Sequence, residues 1–134
     1  MKKTFILGVF AYLVPTFILG YFWHLTWFHQ AYEALEIYRS DIIIPLGVLS
    51  MLVHACIFAL SYPKLFSTER SSWVKSAVKA FFVFGLLSWS FTTLAVSAKN
   101  LMASVPDYVL LETAFTALQF LLVAPLMAFV SRNK

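Results

Sequence analysis

Four long apolar runs, each bounded by a short segment of turn-forming and charged residues, decide what this chain can fold into. They cover about residues 4–28, 42–62, 76–98 and 107–130. A hydrocarbon layer about 30 Å thick is crossed by about 20 residues of helix, and each run meets that length. Membrane β-strands need about 10 residues of alternating pattern, which these runs lack. Only 12% of the 134 residues are charged and 61% are hydrophobic, whereas soluble domains are about 25% charged. The expectation is one all-α domain over 1–134, an integral membrane four-helix bundle.

The punctuation agrees with four spans. Ser40-Asp41 ends the first connection, Tyr62-Pro63 closes the second run, and Ser67-Thr68 with Ser71-Ser72 marks the second connection. Pro106 falls in the first turn of the fourth run, where its missing N–H is not needed. Pro15 is expected to kink the first helix. The opening Lys2-Lys3 and apolar run resemble a secretory signal, but the run continues to Phe28 with no small-residue cleavage site. It is read as an uncleaved first span.

Orientation follows from the basic residues. With the N-terminus inside, Lys2, Lys3, Lys64, Arg70, Lys75, Lys79, Arg132 and Lys134 share one side and only Arg39 and Lys99 the other. The positive-inside rule then places both termini in the cytoplasm. These cations are scattered rather than grouped on one helix face, so the net charge of +4 does not point to nucleic acid.

The segment GYFWHLTWFHQAYEALE, residues 20–36, is the densest in chemistry. Trp23, Trp27 and Tyr32 fit the aromatic belt of a membrane boundary. Trp23 and Trp27, four apart, are expected on one helix face. His24 and His29, five apart, are not, so no shared metal site is expected. The following QAYEALEIYRS is expected to extend the helix or lie on the membrane surface.

Polar groups within the runs form two layers. His54 stands 12 residues after Ile42, and Gln119 stands 12 after Asp107; both lie about 18 Å along their helices, near mid-membrane. Ser88 and Ser90 join them. Nearer the outer end are His24, Thr92, Thr93, Lys99, Asn100 and Glu112. Glu112, Thr116 and Gln119 form one stripe on the fourth helix and are expected to face inward, because polar groups turned to hydrocarbon are costly. His54 with Gln119 reads as helix-packing glue, and Glu112 with Lys99 as an ion pair. Ligand binding or a transport pathway through these residues is the alternative. An offset of 66 residues aligns Trp23 with Trp89 and Asp41 with Asp107, a weak internal echo.

Other chemistry is sparse. Cys56 is the single cysteine, so no intrachain disulfide forms. No zincin, P-loop, dinucleotide or nucleophile-elbow pattern occurs, and no catalytic set or metal site is assigned. No cofactor is expected; a single-His haem or chlorin site at His54 stays as an alternative.

Two stretches, GLLSWSFTTLAVSAKN…VPDYVLLETAFTALQF and YFWHLTWFHQAYEAL, resemble small uncharacterised four-helix inner-membrane proteins of bacteria. The resemblance implies a bacterial inner-membrane bundle and brings no activity with it. Small multidrug transporters share the size, but their essential acid is in the first helix, where this chain has none before Glu33. The expected function is a non-enzymatic membrane protein that acts as an oligomer or as a subunit of a larger membrane assembly. The alternative is a small transporter or lipophilic-ligand binder.

Topology is directly testable after Cys56 is replaced. Ser71→Cys is expected to resist an impermeant thiol reagent added to intact cells. Labelling from outside would invert the orientation.

Overall fold

The computed structural model describes residues 2–132, all of its regular structure helical. Helix α1 (Lys2–Phe22) runs directly into a wide turn, Trp23–Trp27. Phe28 breaks the helix at φ −113° and ψ 17°, and a short α2 (His29–Ala34) follows. An irregular connection, residues 37–43, leads to α3 (Ile44–Leu65). Next come α4 (Trp73–Trp89), a second wide turn at Ser90–Leu94, the single-turn α5 (Ala95–Ser97), and α6 (Val105–Ser131). Four segments are long and apolar enough to cross a membrane: Lys3–Trp27, Ile44–Leu65, Arg70–Ser97 and Val105–Ser131.

Local sequence explains the boundaries. Pro45 begins α3 and Pro106 begins α6, where a missing N–H is harmless. Ser104 caps α6, its side chain accepting from the Asp107 amide at 3.4 Å. Asp107 itself sits against the positive end of the helix dipole. The third span begins before residue 76, because Trp73, Val74 and Lys75 already lie in the helix. Glu36 takes φ 58°, and this left-handed residue turns the chain back after α2.

Both wide turns are π turns, in which an amide bonds five residues back. Phe28 N–H reaches the Trp23 carbonyl at 3.0 Å, and Ala95 N–H reaches that of Ser90. Each inserts one residue into the helix and rotates the register beyond it. They begin at Trp23 and one residue after Trp89, the two tryptophans aligned by the 66-residue offset.

The bundle runs up, down, up, down. Helix α1 packs antiparallel on α3 and on α6, and α6 packs antiparallel on α4. Small residues bring the pairs close: Ala55 and Ala59 on α3, Ala77 and Ala80 on α4, and Ala124 and Ala128 on α6 are all buried. At one end α3 and α4 meet through aromatics, with Phe58 stacked on Phe84 at 4.2 Å and Phe66 edge-on to Phe84 at 5.4 Å. Towards the other end they separate, which leaves α1 and α6 as the back wall of an open cleft.

Gly8 marks the tightest crossing. A Cβ there would lie 3.0 Å from the Ala59 Cβ, whereas one at Gly47 would meet nothing within 4 Å. Gly8→Val is expected to push α1 off α3 and cost about 1–3 kcal/mol, the usual range for overpacking. Gly47→Ala is expected to be neutral or stabilising by up to about 1 kcal/mol through helix propensity. Thermal unfolding of both variants in mild detergent checks the pair; an unaffected Gly8→Val would contradict the close packing.

Candidate functional site

Helix α1 and the wide turn after it carry Tyr12, Thr16, Gly20 and His24, a four-residue repeat that lines one side of the cleft. On α6 the stripe of Glu112, Thr116 and Gln119 is buried, and Gln119 lines the cleft. Two linked groups of polar atoms result.

The first group closes the end of the bundle. Trp23 Nε1 donates to Tyr32 Oη at 3.2 Å, and Tyr32 donates to Glu112 Oε1 at 2.7 Å. An indole N–H can only donate, so it fixes the direction of the Tyr32 hydroxyl hydrogen towards Glu112. His24 Nε2 lies 3.2 Å from the same Oε1, and His24 Nδ1 lies 3.1 Å from the Gly20 carbonyl. A carbonyl only accepts, so Nδ1 carries a hydrogen. The contact between Nε2 and Glu112 therefore needs one more proton, on the imidazole or on the acid. This contact closes the upper edge of the cleft. Tyr38 stacks on Tyr32 at 5.2 Å and 9°.

The π turn explains why Trp23 and Trp27 part company. They do not share a face: Trp23 is 6% exposed and Trp27 is 63% exposed. Tyr32 is fully buried against Glu112 rather than set at a boundary, because α2 folds back over the bundle end. Of the three expected anchors, only Trp27 projects outward. The segment after Phe28 does not continue α1; the Leu35 carbonyl accepts from Ala103 N at 3.1 Å and ties it to the connection before α6. Glu112 takes His24 and Tyr32 as partners, and among the described residues Lys99 makes no ion pair with it. Lys99 is exposed in the turn after α5. His29 pairs with Glu33 at 3.2 Å on the surface, away from His24. Among the described residues no three His, Cys, Asp or Glu side chains gather as a metal site.

The second group is the cleft floor. Gln119 Nε2 lies 3.2 Å from both Tyr12 Oη and Thr16 Oγ1. His54 stands beside it, its ring 6.4 Å from that of Tyr12 and nearly parallel. Its Nδ1 bonds the Ser50 carbonyl at 3.0 Å, which leaves Nε2 as the other ring nitrogen. Ser88 enters from α4 with a buried hydroxyl that has no partner. The cavity measures about 540 Å3 and is walled by Phe17, Tyr21, Phe115 and Met51, with Ile42, Ile43 and Ile44 at its mouth. That volume suits a small ligand. At the mouth Arg39 grips Asp41 through two bonds of 3.0 Å, and these hold the Asp41 carboxyl below its usual range. Thr116 is buried but points to a separate, smaller groove between α4 and α6.

Tyr12 and Thr16 are the floor residues that the sequence reading did not name; the four-residue spacing from Tyr12 to His24 was the available sign. Ser88, expected in one layer with His54 and Gln119, lines the same cleft as they do.

Comparison of the chain with protein-family models, with curated proteins and with solved structures gives no match.

Burial, then the charge of Glu112 and the bond to it, raise the Tyr32 phenol well above its ordinary value. Folding therefore favours the neutral phenol. That stabilisation is fully present below about pH 10, the ordinary tyrosine value, and is lost as pH rises through the folded value. In a spectrophotometric titration, subtraction of Tyr32→Phe from the native protein is expected to show no tyrosinate from Tyr32 until the protein unfolds. Ionisation near pH 10 in the folded state would contradict the network.

Proposed function

We propose that the chain is a non-enzymatic, multi-pass protein of the bacterial inner membrane, with both termini cytoplasmic, that binds a small lipophilic molecule in the cleft between α3 and α4. The cleft is the observation that carries this reading. It is large enough for a ligand, apolar along its walls, polar at its floor, and open sideways where α3 and α4 part. Support for insertion comes from helices whose outer faces are apolar, with Phe91 and Leu110 both 70% exposed. Orientation rests on the Lys/Arg asymmetry, and the bacterial membrane on the resemblance of the third and fourth spans.

The paired His24 and Glu112 contribute by fixing the cleft's upper wall. Tyr32 and Tyr38 fold over that wall, and residues 37–44 frame the entrance. The floor group around Gln119 orients whatever enters.

A second reading, a subunit or oligomer, draws on the opposite side of α4. There Trp89 Nε1 donates to Thr113 at 2.9 Å beside a shallow apolar groove of about 230 Å3. A polar pair on an apolar surface favours a neighbouring helix as its cover.

Gly47→Phe separates the two, because position 47 opens into the cleft without a neighbour within 4 Å. Native mass spectrometry of protein extracted in mild detergent is expected to show a small-molecule adduct that Gly47→Phe loses while staying folded. Adducts that survive Gly47→Phe, or a stable protein partner without any adduct, would move the conclusion to the subunit reading. An absorbance spectrum of the same sample tests the tetrapyrrole alternative at His54.

A further inference from the structure

The cleft floor keeps hydroxyl hydrogens that its present contacts do not use. The Gln119 amide carries two N–H hydrogens, and Tyr12 and Thr16 carry one O–H each. The two contacts of the amide, each 3.2 Å, use one hydrogen apiece. A third hydrogen bond joins Tyr12 to Thr16, so one of the four hydrogens remains. No backbone carbonyl takes it up among the described residues. Ser88 adds a second, since its hydroxyl is buried without a partner and the residue is 7% exposed. Tyr12 is 4% and Thr16 also 4% exposed.

Buried donors left unmade are costly, and native proteins rarely leave several together. Among the described residues no Asp, Glu, Lys or Arg stands at this floor; Arg39 lines the cleft at its mouth, paired with Asp41. The nearest ionisable side chain is His54, whose Nδ1 is held by Ser50. A charged head would lack a counterion there and would be expelled. The walls require an apolar body, and the sideways opening leaves room for a tail.

We propose that the occupant of the cleft is an uncharged lipophile whose head presents a carbonyl oxygen, received by Ser88 and the Tyr12–Thr16–Gln119 group. This rests on the ligand-binding reading of the cleft and specifies its chemistry. The carbonyl accepts from two donors at once, which neither a hydrocarbon nor an ether-poor chain does. The head lies beside the His54 ring, and the tail leaves between α3 and α4.

A matched pair of probes tests the assignment. Dodecanophenone and dodecylbenzene differ only in the carbonyl. Titrated against the purified protein and read by native mass spectrometry, the ketone is expected to bind about tenfold more tightly, the yield of two modest hydrogen bonds. In Gln119→Leu combined with Ser88→Ala that preference is expected to shrink to about twofold or less, with the fold checked by circular dichroism. Should that variant unfold, the near-isosteric Tyr12→Phe and Thr16→Val replace it. Equal binding of the two probes would overturn the carbonyl assignment and leave the cleft reading intact. Binding of neither would remove both. A ketone preference that survives in folded variants would show that the carbonyl is received elsewhere, and would overturn the site.

Discussion

Glu112 is a carboxyl group seven residues after Val105, inside a helix apolar on nearly every side. A buried acid without partners is too costly to keep, so the chain around it has to supply them. It does so with two side chains and a third that braces one of them. His24 comes from the end of α1, Tyr32 from the fold-back after it, and Trp23 holds Tyr32 in place. The π turn at Trp23–Trp27 is what allows this. An unbroken α-helix would place Trp23 and Trp27 on one face, whereas the inserted residue lets Trp23 turn inward and Trp27 outward. The end of the bundle is thus built around the paired His24 and Glu112.

The cleft follows from uneven side-chain size along α3 and α4. Where Phe58, Phe66 and Phe84 interlock, the two helices are held together. Beyond that aromatic layer no ring pair among the described residues bridges them. Gly47 stands at the opening on α3 and the second π turn widens α4 after Trp89. Helices α1 and α6 stay tightly packed throughout, and their facing stripes become the floor. One bundle therefore contains a closed aromatic end and an open polar one.

The long elements were legible because their cause is local. Twenty-odd apolar residues between breakers make a helix whatever the tertiary context, and four such helices stand in the fold close to where the runs lie. The inward stripe of Glu112, Thr116 and Gln119 was legible for the same reason: its spacing is helical, and all three are buried. The partners were not. Lys99 looked close to Glu112 in depth, but depth does not say which way a loop turns. Glu36 at φ 58° and the two π turns redirect the chain, and neither leaves a mark in hydropathy. Tyr32 looked like a boundary residue because an aromatic near a span end usually is one. Its burial depends on a fold-back that only tertiary contacts stabilise.

The central claim is that His24 and Glu112 act as one unit. A double-mutant cycle of His24→Phe and Glu112→Leu, read as unfolding free energy in mild detergent, measures this most directly. Each single change strands the other partner in the bundle, so the double variant is expected to lose less than the sum of the two. The expected coupling is about 1–2 kcal/mol, at the upper end for polar pairs between membrane helices. Losses that add to within about 0.3 kcal/mol would mean that the two side chains do not share a proton, and that the end of the bundle is organised by something else.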